Sequence, residues 1–363
     1  MLHQPARQRP AGPAKFLRRR LLAIPAAALT AALSLAACSS GPEPGPSGAA
    51  ASSPAPSASA KVAAVIKGLD NPFFQAMEDG IGETAKGAGL DVAVQAAADV
   101  ADTTGQADKL AALAGQDYTC FIANPITGSN LIQALAPIAK SGKTIVNIDR
   151  PLDQDAAKAA GVEPATYIGT DNKAAGAKAG AFLAETLPKG SEVAVIGGVA
   201  GDVTSADRVE GLKDAIHGLT LIQEEAADWK REMALTKATD IMAAHPGVAA
   251  FFAANDDMGL GIVKAVENAG KTGKIAVISV DGNQDALKSV EQGGLAATVA
   301  QYPYAIGQLG VQACQVAAAG GQLPAQVESP TALVTKANAA AALAKFPQPF
   351  EAFANPLSDS LGR

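Results

Sequence analysis

From Lys61 onward, short runs of Val, Ile and Ala alternate with longer stretches whose apolar residues recur at helical spacing. Short runs that are apolar throughout are typical of strands buried on both faces, and their alternation with amphipathic helices indicates βαβ units in parallel sheets. The pattern predicts strands at 61–67, 91–96, 119–123, 143–148, 166–169, 192–197, 220–226, 248–253, 274–280 and 295–301. It predicts helices at 73–88, 104–114, 128–140, 172–187, 205–216, 231–244, 257–269, 283–292 and 303–319.

This number of elements favours two doubly wound α/β sheets over a single one. A barrel is the rival α/β architecture. The rhythm breaks around 151–166 and becomes irregular near the C-terminus, and both features argue against a barrel. For the segment 337–353, we expect a short surface helix followed by a tail.

The pattern of the first residues indicates a targeting segment. Residues 1–37 carry six Arg and Lys and no acid, and they end in the apolar run 21–37. A charged start, an apolar stretch and small residues at its end are typical of a secretory signal peptide. The run closes as Leu-Ala-Ala-Cys at Cys38, which resembles the lipobox of bacterial lipoproteins and implies cleavage before Cys38 and lipidation of its thiol. The alternative is a plain secretory signal followed by an incidental Cys.

Residues 38–60 consist of Ser, Pro, Gly and Ala around the lipobox Cys, with a single charge, and predict a disordered linker. Removing the six leader positives from the formal net charge of −6 leaves −12 for the remainder, which disfavours nucleic acid as a partner. Cys120 lies in a strand-like run and Cys314 in a helical one. Two buried free thiols are therefore expected, although the sequence leaves a disulfide open.

Polar residues follow nearly every predicted strand. In doubly wound sheets, ligands bind outside the carboxyl ends of the strands. The residues at or near these ends are Lys67, Asn71, Asn124, Asp149, Arg150, Asn255, Asp281 and Gln301. Helix capping is the alternative explanation for each Asn and Asp. Capping does not explain Arg150, Gln301 or the helical Arg208, so the sequence predicts a polar cleft.

The residue types of this cleft indicate the chemistry of its ligand. Carboxylates accept hydrogen bonds from hydroxyls, Arg donates several, and amides do both, which suits a molecule dense in hydroxyl groups. Phe73, Phe74 and the single Trp of the chain, Trp229, can cover the apolar faces of a pyranose ring. The alternative is that Phe73 and Phe74 are core residues of the helix that Pro72 begins.

Short motifs follow one another in order along residues 61–335. They are NPFF (71–74), ANP (123–125), NIDRP (147–151), TSADRVEG (204–211), ADW (227–229), FAANDDMGLG (252–261), VDG (280–282) and LAATVAQYP (295–303). Together they resemble the periplasmic sugar-binding proteins of the ribose-binding type, the extracytoplasmic receptors of ABC importers. The resemblance implies a type I periplasmic binding protein fold with two Rossmann-like lobes joined by a three-strand hinge.

The implied N-terminal lobe comprises 61–170 and 302–331, and the C-terminal lobe comprises 171–301 and 332–345, with a tail at 346–363. The hinge crossings are expected near Thr170-Asp171, Gln301-Tyr302 and Thr331. Carried over position by position, the implied sugar-binding residues are Lys67, Asn71, Phe73, Phe74, Asn124, Asp149, Arg150, Arg208, Trp229, Asn255, Asp281 and Gln301. Ribose binders usually carry Phe at the position of Trp229, and a Lys at the position of Lys67 resembles the allose-type relatives. The resemblance therefore leaves open whether the ligand is a pentose or a hexose.

The resemblance implies an extracytoplasmic, lipid-anchored, monomeric receptor that delivers a monosaccharide to an ABC permease and its ATPase, with no cofactor and no metal. The alternative is a sugar sensor that signals to a membrane kinase or chemoreceptor. An enzyme that uses Asp149 and Asp281 for glycoside hydrolysis is disfavoured, because hydroxyl contacts and Arg are expected to keep both carboxylates ionised. A DNA-binding regulator is disfavoured because a leader and linker stand where its helix-turn-helix would precede the fold.

Overall fold

The computed structural model describes residues 60–362, so the predicted signal peptide, Cys38 and nearly all of the linker lie outside the described residues. The strands are β1 Lys61–Ile66, β2 Asp91–Ala96, β3 Cys120–Ala123, β4 Thr144–Ile148, β5 Thr166–Gly169, β6 Glu192–Gly197, β7 Thr220–Ala226, β8 Val248–Ala253, β9 Ala276–Asp281, β10 Ala297–Gln301, β11 Gln326–Glu328 and β12 Thr331–Thr335. The helices are α1 Pro72–Gly87, α2 Thr103–Ala114, α3 Ile132–Lys140, α4 Gln154–Ala159, α5 Asn172–Thr186, α6 Val203–Ala215, α7 Arg231–Ala244, α8 Asp256–Asn268, α9 Gln284–Gln292, α10 Pro303–Ala318, α11 Ala339–Lys345 and α12 Ser358–Leu361. Within 60–362, no helix is both long and apolar enough to cross a bilayer.

The strands form two six-stranded sheets, in the orders β11-β5-β4-β3-β1-β2 and β12-β10-β9-β8-β6-β7. The strand pairs are parallel except for β10 with β12, which is antiparallel. The prediction of two doubly wound α/β sheets is confirmed. In each sheet the strand order reverses at the first strand, β1 or β6, and ligands bind beside such switch points.

The chain passes between the two sheets three times: after β5, after β10 and between β11 and β12. Helix α10 packs on α1 and β4, whereas α5 packs on α6, β9 and β10. The sheet that contains β1, together with helices α1–α4 and α10, is called the first lobe. The second lobe is the sheet that contains β6 together with α5–α9 and α11.

Four short elements escape sequence prediction, namely strands β11 and β12 and helices α4 and α12. Strand β11 has three residues and helix α4 has six, which is too short for either period to be recognised. Strand β12 follows β11 closely and joins the second sheet as its antiparallel edge. These edge strands are defined by the neighbour they pair with, which is a tertiary property.

The cysteines correct one expectation. Cys120 in β3 and Cys314 in α10 form a disulfide with a Cα–Cα distance of 5.8 Å, so they are not two buried free thiols. They are 194 residues apart in sequence, and the chain brings them together only because α10 returns to cover the first sheet. Disulfides persist in oxidising compartments, which agrees with export of the chain.

The C-terminal segment 346–361, which the sequence predicts as a tail, packs against both lobes. Leu357 is fully buried in the core of the first lobe, and Phe350 packs against the core of the second. Phe353 contacts both cores, and Asn355 donates from Nδ2 to Gln312 Oε1 of α10 at 2.9 Å. The apolar residues of this segment follow neither the helical nor the strand period, so the sequence pattern gave no sign of their burial.

Candidate functional site

A cleft of about 370 Å³ lies between the lobes, at the carboxyl ends of the central strands of both sheets. This volume is in the range of ~300–1,000 Å³ usual for small-molecule sites. Ten of the twelve predicted binding residues line it: Lys67, Asn71, Phe73, Phe74, Asp149, Arg150, Arg208, Trp229, Asn255 and Asp281. The cleft is also lined by residues that the sequence did not single out: Asp70, Val100, Ile126, Asp202, Thr204, Asp228, Lys230, Arg231, Glu232 and Asp257.

The first lobe contributes a charged pair and an aromatic wall. Lys67 Nζ donates to Asp149 Oδ2 at 2.9 Å, and both side chains are 15% exposed. The same ammonium lies 5.1 Å from the centroid of the Phe74 ring. Lys67 is therefore held in place by a carboxylate and a ring face, while the rest of its donors and the second Asp149 oxygen can meet ligand hydroxyls.

Asn71 begins the helix that carries the aromatic pair. Its Oδ1 accepts from the backbone N–H of Phe73 at 2.9 Å, and Pro72 occupies the first turn. The Phe73 and Phe74 rings pack edge to face, with centroids 5.1 Å apart. Both residues belong to the core of the first lobe and also line the cleft. Their interpretation as core residues is therefore compatible with their interpretation as residues that contact the ligand.

The second lobe's half of the site is organised around the buried side chain of Arg208, on helix α6. Its Nε donates to Asn172 Oδ1 at 2.9 Å, and its Nη1 donates to the Ala254 carbonyl at 2.7 Å and to Asp281 Oδ1 at 3.2 Å. Gln301 Nε2 donates to the same Asp281 oxygen at 2.7 Å. A buried charge pair requires such additional hydrogen bonds, and together they fix the guanidinium and the carboxylate in one orientation.

Trp229 lies on the wall beside Arg208, with the guanidinium carbon 6.0 Å from the indole centroid. A Cβ at Gly198, directly after β6, would overlap the indole ring. The glycine therefore allows Trp229 its position in the cleft. The Gly-Gly pair at 197–198 is the sequence signal for this contact. It can be interpreted only when β6 and β7 are known to be neighbouring strands.

The structure places two predicted binding residues behind the cleft wall. Asn124 is fully buried; its Nδ2 donates to Met77 Sδ at 3.3 Å, and its Oδ1 has no partner among the described residues. Gln301 is 3% exposed and contacts Asp281. Asn255 lines the cleft and also caps α8, because its Oδ1 accepts from Met258 N at 2.9 Å.

Strained backbone is concentrated at this cleft. Between residues 60 and 362, the non-glycine residues with positive φ are Asp149 (60°), Asp228 (49°), Trp229 (62°) and Asp281 (137°), and all four line it. Such conformations cost on the order of 1–3 kcal/mol each and are retained where the surroundings impose them, often at functional sites. Three of the four are Asp, a residue type that is enriched at positive φ, whereas nothing in the residue type of Trp229 indicates this conformation.

Burial raises the pKa of both buried carboxyls of the second lobe. Desolvation raises the pKa of Asp281 to about 6 even though Arg208 opposes this shift. The cost of burial outweighs the attraction of Arg208, and a pKa of about 6 still leaves this carboxyl mostly ionised at pH 7. Desolvation and the neighbouring Asp281 charge raise the pKa of Asp256 to about 8.

Asp256 holds the turn that carries Asp281. It accepts from Ser279 Oγ at 2.5 Å, Thr298 Oγ1 at 2.7 Å and Asn283 N at 2.7 Å. Its folded pKa lies above its ordinary value of 3.8, so the folded state retains a proton that the unfolded chain releases. Its contribution to stability is complete below about pH 4 and is lost as the pH rises through about 8.

Asp256→Asn is therefore expected to flatten the pH dependence of stability. In the natural chain, the free energy of unfolding should fall by up to about 1.4 kcal/mol per pH unit between pH 5 and 8 through this carboxyl, or roughly 3–4 kcal/mol over the whole interval. An amide keeps the acceptor for Asn283 N and presents donors to the two hydroxyls. Urea unfolding at several pH values measures the slope, with the exposed Asp285→Asn as control. An unchanged slope in Asp256→Asn would contradict the assignment.

The profile of the periplasmic binding protein domain matches residues 62–322. The chain is 37% identical over 258 residues to the D-allose-binding periplasmic protein of Escherichia coli (strain K12), covering 70% of this chain and 83% of that protein. It is 33% identical over 269 residues to a ribose import binding protein of Bacillus subtilis (strain 168), covering 74% and 85%.

Solved structures agree. An ABC transporter periplasmic solute binding protein from Actinobacillus succinogenes 130z, crystallised with bound D-allose, superimposes with a TM-score of 0.73 at 30% identity. The match covers 77% of this chain and 99% of that one. The resemblance drawn from the short motifs is confirmed.

Proposed function

The chain belongs to the periplasmic binding protein family, and from this membership we propose that it is the extracytoplasmic substrate-binding component of an ABC sugar importer. It captures one monosaccharide between its lobes and delivers it to the permease. The observation that carries the proposal is the composition of the cleft. Each lobe contributes carboxylate, cationic and aromatic side chains, and a pyranose offers hydroxyls and apolar ring faces to match them.

Each lobe carries half of the site. Lys67, Asp149 and the Phe pair belong to the first lobe, whereas Arg208, Asp281 and Trp229 belong to the second. A sugar that bonds to both halves stabilises the closed arrangement by its differential contacts. Charge-assisted hydrogen bonds contribute roughly 1.5–3 kcal/mol each, and after the costs of ordering and desolvation they are consistent with micromolar or tighter binding.

We place D-allose first among candidate ligands and D-ribose second. The allose-binding relative has the higher identity of the two relatives named above, and Lys67 and Trp229 are the positions where the sequence departs from the ribose type. The lipid anchor at Cys38, a monomeric state and docking on an ABC permease complete the proposal. The lipobox-like end of the leader and the linker composition support the anchor.

Titration of residues 61–363, refolded to remove any bound sugar, against allose, ribose, psicose, xylose, galactose and glucose tests this function. We expect one of these sugars to bind with micromolar or lower Kd. Asp149→Asn should weaken that binding about 10-fold or more, because it removes the charge that pairs with Lys67 and accepts from a hydroxyl.

Asp153→Asn is the matched control. Asp153 is exposed and caps α4 through a bond from Ala156 N at 2.8 Å, and Asn caps helices equally well. It should bind the sugar as the natural chain does. No heat of binding with any of the six sugars would overturn the ligand class, and equal affinity of Asp149→Asn and the natural chain would overturn the assignment of Asp149.

A further inference from the structure

One ion pair crosses the cleft. Arg150, the second residue after β4 of the first lobe, donates from Nη1 to Oδ2 of Asp202, which lies at the start of α6 in the second lobe. The two side chains are only 13% and 11% exposed. Among residues 60–362 this is the only ion pair that links the lobes; the others join groups within one lobe.

Asp202 is held in place by its own lobe. It is the N-cap of α6, and its Oδ1 accepts from Ser205 N at 3.1 Å. Ser205 Oγ in turn accepts from the N–H of Gly198 at 2.8 Å. One carboxylate oxygen therefore fixes the side chain to the helix start and the other is presented to the opposite lobe. The ordering of this side chain is largely complete before the lobes meet.

Arg150 is not saturated by this contact. Its Nε is buried and has no hydrogen-bond partner among the described residues, although the residue lines the cleft. An unpartnered buried donor is costly unless a further group satisfies it. The guanidinium can thus bind Asp202 with one part of its donor set and a ligand oxygen with another.

We infer that Asp202 is a latch and positioning residue: its carboxylate stabilises the closed arrangement of the lobes and orients the Arg150 guanidinium toward the ligand. The inference rests on the proposed capture of a sugar by lobe closure. Opening the cleft breaks the pair and returns both charges to water, so Asp202 slows the release of sugar. It has little influence on the entry of sugar into the open form, in which the pair is absent.

Asp202→Asn separates the latch from the cap. Asn caps a helix as well as Asp does, so α6 is retained while the negative charge is lost. We expect sugar to dissociate about 10-fold faster or more, with the association rate changed by less than about 3-fold, as for the loss of one charge-assisted hydrogen bond. Asp153→Asn, the same change at the exposed cap of α4, should alter neither rate.

A distance measurement without sugar tests the latch independently of the ligand. Spin labels on cysteines introduced at the exposed positions Ala101 and Val199, one on each lobe, report the spacing of the lobes by pulsed electron resonance. The Cys120–Cys314 disulfide leaves no native thiol to label among the described residues. Asp202→Asn should shift the distribution toward longer distances. In an Arg150→Gln background it should shift nothing further, which a purely structural role of Asp202 would not produce.

The outcomes are distinct. Identical sugar-free distances and identical dissociation rates in Asp202→Asn and the natural chain would overturn the latch while leaving sugar capture intact. A further shift in the Arg150→Gln background would also overturn it, since Asp202 would then act through another group. If none of the six sugars binds, the proposed function fails, and the spacing of the lobes still decides whether Asp202 stabilises closure.

Discussion

Arg208→Met is expected to weaken sugar binding at least about 100-fold and to lower the free energy of unfolding by about 3–5 kcal/mol. Removing one partner of a buried ion pair leaves an uncompensated charge, which costs this much. Here the charge left behind is Asp281, which is 5% exposed and already has a raised pKa. Without Arg208 this carboxyl takes up a proton, and the cleft loses both a donor and an acceptor.

Titration calorimetry below the unfolding transition separates lost binding from lost folding, and urea unfolding gives the stability. Arg231→Met is the matched control, because Arg231 also lines the cleft but pairs with Asp257 where the side chains are 46% and 28% exposed. Exposed pairs contribute up to about 1 kcal/mol, so this variant should lose less than about 10-fold in affinity. Similar losses in the two variants would contradict the central role given to Arg208.

Replacing Cys120 and Cys314 together by Ala is expected to lower the free energy of unfolding by about 2–5 kcal/mol. The disulfide constrains the unfolded chain, and its effect grows with the length of the loop that it closes. The two cysteines are 194 residues apart, which places this disulfide toward the upper end of that range. Urea unfolding of residues 61–363 measures the difference.

Dithiothreitol supplies the control. Reduction should destabilise the natural chain to about the level of the double variant, and it should leave the double variant unchanged. Two thiols titrated in the unreduced natural chain, with no effect of dithiothreitol on its unfolding, would restore the interpretation of two free cysteines. Sugar affinity should change little in the double variant, because neither cysteine lines the cleft.

Much of the fold could be predicted from the sequence because buried parallel strands have a local signature. Strand β1, Lys-Val-Ala-Ala-Val-Ile, is buried at every position after the first, and its apolar run is continuous. Strands β3, β6 and β8 show the same continuous apolar pattern and are buried at nearly every position. Local pattern fails for β11, whose three residues are ordered by pairing with β5.

The site residues at the ends of strands could be predicted from the sequence, whereas the contacts that cross the cleft could not. Lys67, Asp149 and Asp281 follow or close strands that the sequence reveals, so their convergence follows from parallel topology. Asp202 looks like any N-cap in the sequence, and its partner Arg150 is 52 residues away on the other lobe. Asn172 likewise gains its role only by receiving the bond from Arg208 Nε. Such pairings depend on how helices and lobes pack, which no local period encodes.

The disulfide also has a topological consequence. Cys120 and Cys314 both belong to the first lobe, and β6 through β10 lie between them in sequence. The bond therefore closes a covalent ring that contains the sheet of the second lobe except its edge strand β12. A single proteolytic cut in a surface turn such as Lys271–Lys274 opens this ring without releasing a fragment, and the nicked molecule remains one covalent unit until it is reduced.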